Sequence, residues 1–291
     1  MKILVTGGAG YLGSILCPML AAHGHEVTAL DGFLYRQAPL LEGVRIMRAD
    51  VRDPVNTEPY DALILLAAIV GAPACERDKT AAVSTNFQAI DQMDLRDKIV
   101  ICPNTNSGYG QGDNCTEDTP LNPLSLYAQT KQWAEQSALE RGGISLRLAT
   151  LFGCSPRMRL DLMVNDFVYR AVRDRAITLF EPHFRRNFLH VRDAARAFLH
   201  ALEHCDAMRG EAYNVGDSRV NITKAQLCER IAQHTEFTWN IAEGKTDPDK
   251  RDYVVSNAKI EATGWRPRFS LDDGIRELIN AYQMPVTGGN V

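Results

Sequence analysis

The feature that most constrains this chain is a glycine-rich turn close to its start, GGAGYLG from Gly7 to Gly13. An apolar run precedes the turn, and an apolar, helix-like segment follows it. Gly7 permits a tight strand-to-helix turn, Gly10 lets the backbone approach a pyrophosphate, and Gly13 allows close helix packing. Because the N–H groups at a helix N-terminus attract phosphates, the motif predicts a dinucleotide site that includes Tyr11 and Leu12.

An acidic residue at the end of the second apolar strand selects between the two nicotinamide dinucleotides. Asp31 follows residues 26–30 and comes about twenty residues after the glycine turn, where a carboxylate accepts hydrogen bonds from ribose hydroxyls. The 2′-phosphate of NADP would be repelled at this point by the negative charge of the Asp31 carboxylate. The next residue is Gly32 and not an arginine, so no cation is in place for that phosphate. The sequence therefore favours NAD over NADP.

Composition excludes several other classes of protein. The 291 residues carry a formal net charge of −4, which gives no basic footprint for nucleic acid. Seven scattered cysteines without a CxxC pair suit a reducing cytoplasm and argue against a structural zinc site. The chain has no HExxH motif, no apolar stretch of membrane-span length, and no room for a signal peptide before its first strand. We expect a cytoplasmic protein with no nucleic-acid, membrane or metal partner.

The rhythm of apolar segments predicts the fold. Six short apolar runs alternate with helical patterns in the first half, at residues 2–6, 26–30, 44–47, 62–66, 98–102 and 145–148. Continuous apolar strands of this kind are typical of parallel sheets that are covered on both faces. We predict an α/β fold, a Rossmann doubly wound parallel sheet with a smaller C-terminal α/β substrate-binding lobe. The NAD-binding domain spans residues 1–155, with returning segments near 186–215, and the lobe is mainly residues 156–291.

A tyrosine and a lysine four residues apart indicate proton chemistry. Tyr127 and Lys131 share one face of the helix predicted over residues 124–141. A cation beside a phenol lowers its pKa and makes it a usable acid or base. Thr105 follows the strand at 98–102, at the carboxyl edge of the sheet, where its hydroxyl can bind a substrate oxygen.

Together these motifs resemble the extended short-chain dehydrogenase/reductase family, also described as NAD-dependent epimerases and dehydratases. The resemblance covers nearly the whole chain, and it includes the glycine turn, Asp31, ADVRD at 49–53, LAA at 66–68, TNSGYG at 105–110, YAQTK at 127–131 and RNFLHVRD at 186–193. It implies that Asp50 and Val51 flank the adenine. It also implies that Leu66, Ala67 and Ala68 pass beneath the cofactor.

The same resemblance implies the catalytic roles and the type of substrate. Tyr127 would be the catalytic base, Lys131 would bind the nicotinamide ribose, and Thr105 would hold the reacting oxygen. Family members act on nucleotide-diphosphate sugars and begin by oxidising a sugar carbon, usually C4. They often dimerise through the Tyr-Lys helix and the helix before it, so we expect a homodimer, although the segment between residues 86 and 98 is shorter than usual.

The residues after Thr105 limit the reaction types with which the sequence is compatible. The 4,6-dehydratases carry Asp-Glu where this chain has Asn106 and Ser107, and GDP-fucose synthases carry cysteine at the second position. Dehydration and fucose synthesis are therefore disfavoured. Thr150 stands where many epimerases carry a diphosphate-binding asparagine.

Four segments resemble bacterial GDP-D-glycero-α-D-manno-heptose C4 dehydrogenases of capsular polysaccharide biosynthesis. The segments are residues 103–110, 149–159, 164–167 and 247–253. The function that follows is NAD-dependent oxidation of C4 to a 4-keto sugar. Two alternatives remain open, a nucleotide-sugar C4 epimerase and a non-catalytic NAD-binding sensor on the same fold.

Basic residues of the second half fit an anionic sugar nucleotide. Guanidinium groups match phosphate oxygens well, and by family position Arg186 and Arg251 are the best diphosphate ligands. The predicted substrate site is completed by Val70, Asn106, Ser107, Arg157, Arg159 and Asn165.

Overall fold

The computed structural model describes residues 1–35, 41–242 and 251–284. Strands and helical segments alternate in the first half of the chain. In chain order they are β1 (Lys2–Thr6), α1 (Gly13–Ala22), β2 (Glu26–Asp31), β3 (Val44–Arg48), β4 (Ala62–Leu65), α2 (Ala72–Arg77), α3 (Lys79–Val83), α4 (Ala89–Asp91), β5 (Ile99–Thr105), β6 (Gln111–Cys115), α5 (Leu126–Glu140) and β7 (Ile144–Leu148). A π-helical turn, Ser84–Gln88, joins α3 to α4, and a 3-10 turn, Asn106–Tyr109, follows β5.

The second half has longer helices and shorter strands. Its elements are β8 (Thr150–Phe152), α6 (Met163–Arg173), β9 (Ala176–Leu179), β10 (Arg185–His190), α7 (Val191–Glu203), α8 (Cys205–Met208), β11 (Ala212–Val215), β12 (Asn221–Thr223), α9 (Lys224–Ala232), β13 (Thr238–Ile241), β14 (Asp252–Val255), α10 (Ala258–Ala262) and α11 (Leu271–Gln283).

Seven strands form one parallel sheet in the order β11-β7-β5-β4-β1-β2-β3. The chain builds outward from β1 to β3 on one side and then returns to build from β4 on the other. The order therefore reverses between β1 and β4, and ligands of such sheets bind at the carboxyl ends of the strands beside this reversal. The predicted α/β doubly wound fold is confirmed.

Helices cover both faces of this sheet. Ile3 and Val5 of β1 pack into the core beneath α1 and α7, whereas Leu4 packs into the opposite core beneath α5. Successive side chains of a strand point to opposite faces. Burial on both faces explains why the predicted strands read as continuous apolar runs.

The segment near residues 186–215, which was predicted to return to the NAD-binding domain, contributes both to the seven-stranded sheet and to a second, smaller sheet. Helix α7 packs on α1, and β11 forms the edge of the seven-stranded sheet. Strand β10 lies instead between β8 and β12 in a separate three-stranded sheet. Helices α6, α9 and α11 share a second core with that sheet, which includes Val164, Leu227, Ile275 and Phe188. The boundary near residue 155 stays a prediction.

Strand β6 was not predicted because its sequence, QGDNC, lacks apolar alternation. Strand β5 extends through residues 103–105, Pro-Asn-Thr, beyond its predicted end at 102. Thr105 is therefore the last residue of β5 and not a residue beyond it. Among the described residues, none of the helices combines the length and the apolar character needed to cross a membrane.

Candidate active site

A cavity of about 1280 Å³ opens at the carboxyl edge of the seven-stranded sheet. This volume exceeds the range of about 300–1,000 Å³ that is typical of small-molecule sites, so the cavity has room for a dinucleotide and a second ligand. Its walls contain almost all of the residues predicted from the sequence. They are Gly7, Gly10, Tyr11, Leu12, Gly13, Asp31, Gly32, Asp50, Val51, Leu66, Ala67, Ala68, Val70, Thr105, Ser107, Tyr127, Lys131, Arg157, Arg159, Arg186 and Arg251.

The glycine turn is too tight to accept side chains. Gly7 has a φ of 71°, and a Cβ there would lie 2.7 Å from the amide nitrogen of Ala67. A Cβ on Gly13 would lie 2.6 Å from the carbonyl oxygens of Gly7 and Gly8. Gly13 thus packs on the carbonyls of the turn itself. The turn brings the start of α1 to the cavity, where its first N–H groups are available to an anionic ligand.

The backbone holds the carboxylate of Asp31 at the cavity edge. Oδ2 accepts a hydrogen bond from the amide of Ala9 at 3.0 Å, and Oδ1 accepts one from the amide of Phe33 at 2.8 Å. A carboxylate has about four lone-pair sites, so both oxygens retain capacity for ribose hydroxyls. This geometry fits the predicted dinucleotide.

Asp50 lies at the next strand end and is partly engaged by a neighbour. Its carboxylate accepts hydrogen bonds from the side chain and the amide of Arg52, and the side-chain bond is the main reason that its pKa falls to about 2. Asp50 is therefore ionised and acts only as an acceptor. An adenine amino group bound at the predicted position would share it with Arg52.

Lys131 reaches the cavity from α5, whose N-terminus is capped by the Ser125 hydroxyl. Its side chain is buried, and Nζ has no hydrogen-bond partner within the described ranges. Burial lowers the pKa of Lys131. A buried ammonium without acceptors is costly, so this atom fits a site that the hydroxyls of a ribose complete.

Tyr127 is on the same face of α5 as Lys131. Burial raises the pKa of Tyr127, and the charges of Arg159 and Arg251, which come from two segments of the second half of the chain, oppose that rise. That Lys131 also lowers this pKa stays a prediction.

Thr105 and Ser107 form a hydroxyl pair in the wall of the cavity that Tyr127 also lines. The hydroxyl of Thr105 donates to Ser107 Oγ at 3.0 Å, and the amide of Ser107 donates to Thr105 Oγ1 at 3.2 Å. The guanidinium of Arg251 also donates to Ser107 Oγ. The pair therefore connects the strand end at Thr105 to a predicted diphosphate ligand.

A buried ion pair that the sequence analysis missed fixes this strand end to α5. Glu135 pairs with Arg147 at 2.8 Å and accepts a hydrogen bond from Asn104 Nδ2 at 2.8 Å. The amide of Thr105 in turn donates to Asn104 Oδ1 at 2.8 Å. Glu135 lies four residues after Lys131, on the same face of the helix, and that spacing was the available signal.

Two predicted substrate residues do not line the cavity, which corrects the sequence analysis. Asn165 is fully buried in α6: its Oδ1 accepts from the amide of Gly153, and its Nδ2 donates to Tyr11 Oη and to the carbonyl of Arg159. Its amide is used inside the protein. Asn106 is also fully buried, and its side-chain amide makes no hydrogen bond in the described part of the chain.

The predicted basic residues meet the cavity in different ways. Arg186 is buried over the ring of Tyr253 and donates to the carbonyls of Arg185 and Arg251. Arg157 stacks on Tyr35 with 4.3 Å between its Cζ and the ring centroid. Arg186 and Arg251 are adjacent, as a pair of diphosphate ligands must be.

Comparisons with known proteins agree with this architecture. The model of the family described as "NAD dependent epimerase/dehydratase family" matches residues 3–216. The UDP-glucuronic acid decarboxylase 1 of Arabidopsis thaliana is 26% identical over 97% of this chain and 70% of its own length. The low-salt glycan biosynthesis protein Agl12 of Haloferax volcanii is 27% identical over 97% of this chain and 98% of its own.

Solved structures share the fold over nearly the whole chain. The UDP-glucose 4-epimerase of Thermus thermophilus, in complex with NAD, superposes with a TM-score of 0.82 at 25% identity over 97% of this chain and 99% of its own. The UDP-glucuronic acid 4-epimerase of Bacillus cereus gives a TM-score of 0.83 at 24% identity, over 97% of this chain and 99% of its own.

Proposed function

Because this chain belongs to the NAD dependent epimerase/dehydratase family, we propose that it oxidises the C4 hydroxyl of a nucleotide-diphosphate sugar to a 4-keto sugar. The cofactor is NAD, as predicted from the glycine turn and Asp31. The observation that carries the proposal is one continuous cavity that joins Asp31 to Thr105, Tyr127 and Lys131. A dinucleotide site and a proton-transfer site in one space are what such an oxidation needs.

Each polar residue of the site has a distinct part in this reaction. NAD, when bound, supplies the acceptor for the hydride that leaves C4. Tyr127, once its phenol has lost its proton, takes the proton of the C4 hydroxyl. Thr105 turns its hydroxyl from Ser107 Oγ to donate a hydrogen bond to the same sugar oxygen. Lys131 holds ribose hydroxyls with its ammonium group. Lys131 is buried and Tyr127 is partly buried, which limits the access of water to the transfer.

The residues next to Thr105 disfavour a dehydration that follows the oxidation. Elimination of water from a sugar needs a general acid, and Asn106 and Ser107 cannot supply one. Ser107 Oγ accepts hydrogen bonds from Thr105 and Arg251. These bonds fit a residue that positions its neighbours and does not transfer a proton. We therefore favour a dehydrogenase over a dehydratase.

A C4 epimerase is the second candidate. The likeness to the Thermus thermophilus UDP-glucose 4-epimerase extends over 97% of the chain with a TM-score of 0.82. An epimerase performs the same oxidation, turns the keto sugar over and reduces its other face. The two reactions differ in their products: an epimerase makes no net NADH.

We propose GDP-D-glycero-α-D-manno-heptose as the sugar nucleotide, oxidised in the synthesis of capsular polysaccharide. The four segments that resemble heptose dehydrogenases support it. The segments at 103–110 and 149–159 supply residues to the cavity wall, as does Arg251 of the fourth, whereas residues 247–250 lie outside the described residues. Arg186 and Arg251 bind the diphosphate, and Val70, Arg157 and Arg159 complete the walls around the sugar nucleotide.

We also propose a homodimer that pairs α5 and the α3–α4 region with those of a second copy. This surface carries Trp133, which is 40% exposed, and Phe87, whose ring centroid lies 5.7 Å from that of Trp133. Such aromatic pairs are typical of interfaces. Light scattering of the wild type and of Trp133→Glu tests it: the variant is monomeric if this face is the interface.

A substrate screen tests the proposed function. Purified protein is incubated with NAD and with GDP-, UDP-, CDP- and dTDP-sugars, including manno-heptoses, and the products are examined by mass spectrometry and NMR. We expect a 4-keto sugar and NADH from the GDP-heptose, and no product with Tyr127→Phe. A sugar inverted at C4 without NADH would indicate the epimerase. NAD binding without turnover of any sugar would indicate the non-catalytic sensor.

A further inference from the structure

A stacked pair of side chains, Tyr35 and Arg157, joins two parts of the cavity rim that are far apart in the sequence. The guanidinium carbon of Arg157 lies 4.3 Å from the centroid of the Tyr35 ring, and both residues line the cavity. Tyr35 is 57% exposed, so the pair lies where the cavity meets solvent. A guanidinium at this distance over an aromatic ring is attracted to it, which holds the two side chains together.

The segment that carries Tyr35 begins at the residue predicted to hold the adenosine ribose. Asp31 is the last residue of β2, and its carboxylate accepts hydrogen bonds from the amides of Ala9 and Phe33. Phe33 has a φ of 52°, a left-handed conformation that turns the chain sharply. Tyr35 follows this turn after one residue. It therefore extends from a well-held base beside the ribose site.

The loop that carries Arg157 is attached to the glycine turn. The Ser155 hydroxyl donates to the carbonyl oxygen of Tyr11 at 2.7 Å, and the hydroxyl oxygens of Ser14 and Ser155 are 2.9 Å apart. The amide of Arg157 donates to the same Ser155 oxygen at 3.4 Å. Ser155 is buried, so these bonds are shielded from water. Arg157 therefore extends from the part of the rim next to the turn that is predicted to bind pyrophosphate.

The pair thus joins the ribose side of the cavity rim to the pyrophosphate side. A dinucleotide whose ribose is held by Asp31 and whose pyrophosphate lies at the glycine turn occupies the space between these two points. The stacked side chains lie at the opening through which the adenosine half of NAD passes. Arg157 was predicted from the sequence as a ligand of the sugar nucleotide, and its contact with Tyr35 gives it a second part on the cofactor side.

We propose that Tyr35 and Arg157 form a clasp across the cavity rim that controls the exchange of NAD and NADH. The dinucleotide enters and leaves when the two side chains separate. The inference rests on the NAD site and not on oxidation at C4. It bears on that reaction because a dehydrogenase must release NADH after each turnover before the next NAD binds.

The test is the kinetics of NADH binding, followed by stopped-flow fluorescence without any sugar. Association is measured on mixing with NADH, and dissociation by chasing bound NADH with excess NAD. The proteins compared are the wild type, Tyr35→Leu, Arg157→Met and the double variant. Tyr35→Phe keeps the aromatic ring and should behave as the wild type. Lys259→Met is the matched control, because it removes the contact of Lys259 with the ring of Tyr213, 4.7 Å away and outside the walls of the cavity.

The clasp predicts a particular pattern of rates. Tyr35→Leu and Arg157→Met should each raise both rate constants by about two- to fivefold, the factor that corresponds to the free energy of an exposed cation–π contact. The dissociation constant should stay the same, since the pair is a contact within the protein and its loss opens the rim in both directions. The double variant should resemble either single variant, because one broken contact is enough.

Two results would overturn the inference. A weaker dissociation constant with unchanged association, or effects that multiply in the double variant, would make the residues independent ligands of NAD. Unchanged rates in Tyr35→Leu would show that the dinucleotide does not pass the pair, and because Tyr35 is exposed this variant serves even if Arg157→Met does not fold. Failure of the proposed function is seen separately, in the sugar screen, because NADH exchange involves no sugar.

Discussion

The hydroxyl of Tyr11 donates a hydrogen bond to the carbonyl oxygen of Gly153, 2.7 Å away, and so ties the cofactor turn to the loop that enters the second half of the chain. Asn165 completes the connection: its Nδ2 donates to Tyr11 Oη at 3.3 Å, and its Oδ1 accepts from the amide of Gly153 at 3.0 Å. These three residues close a small ring. The ring fixes the loop that carries Arg157 and Arg159 relative to the glycine turn.

Tyr11→Phe should destabilise the protein by about 1–2 kcal/mol, because it leaves the Gly153 carbonyl without its buried donor. The change in free energy of unfolding is measured by urea denaturation. Tyr282→Phe is the matched control, since its hydroxyl is buried and makes no hydrogen bond among the residues described. It should leave stability unchanged or raise it. Equal losses in the two variants would contradict the importance of the ring.

Lys131→Met should bind NAD more weakly and yet be more stable than the wild type when both are free of NAD. The buried ammonium has no acceptor in the described structure. Its removal should therefore raise the free energy of unfolding by about 1–3 kcal/mol. Calorimetry of NAD binding and urea denaturation measure the two effects.

The stability gain of Lys131→Met should depend on pH. Burial lowers the pKa of Lys131 in the folded state below its ordinary value of about 10.4. The unfolded chain therefore binds more protons between these two values, and wild-type stability rises with pH in that window. The advantage of the variant is full below the folded pKa and fades as pH approaches about 10.4. A gain that is the same at all pH values would contradict this account.

Asp31→Asn should weaken NAD binding about tenfold or more and reduce the preference for NAD over NADP. Hydrogen bonds to a charged group contribute about 1.5–3 kcal/mol, and the loss of charge removes the repulsion of a 2′-phosphate. Fluorescence titration with both dinucleotides measures the ratio of dissociation constants. Asp53→Asn, an exposed change nearby, is the control. An unchanged ratio would exclude Asp31 from the ribose site.

Glu135→Gln should lower the free energy of unfolding by about 3–5 kcal/mol, because it leaves the buried guanidinium of Arg147 without its counter-charge. It should also lower kcat, since Glu135 orients Asn104 and through it the amide of Thr105. Glu140→Gln on the exposed side of the same helix should change stability by about 0.5 kcal/mol or less. Thermal unfolding and steady-state kinetics compare the two. Wild-type kcat in Glu135→Gln would show that Thr105 does not need this support.

The parts of the site that could be predicted from the sequence are those whose positions are determined by the pattern of neighbouring residues. Gly7 and Gly13 are required by close backbone approach, and Asp31 ends a buried strand, so their positions in the fold follow from neighbouring residues. Tyr127 and Lys131 follow from helical spacing. For the same reason the seven-stranded sheet was predictable: most of its strands are apolar runs.

The parts of the site that could not be predicted from the sequence depend on contacts between residues far apart in the chain. Asn165 looked like a substrate ligand because it is polar and near a helix start, but its partners at Tyr11 and Gly153 come from other elements. The ion pair of Glu135 with Arg147 joins a helix to a strand, and neither residue shows in sequence that it is buried.

The central claim, net oxidation of C4 to a ketone, is tested most directly by the fate of the hydrogen on that carbon. GDP-manno-heptose with deuterium at C4 is incubated with the enzyme and NAD, and both products are examined by mass spectrometry. We predict that the deuterium leaves the sugar and appears in NADH, in amounts equal to the 4-keto sugar formed. Deuterium that remains on C4, in either an unchanged or an inverted sugar, would contradict the account.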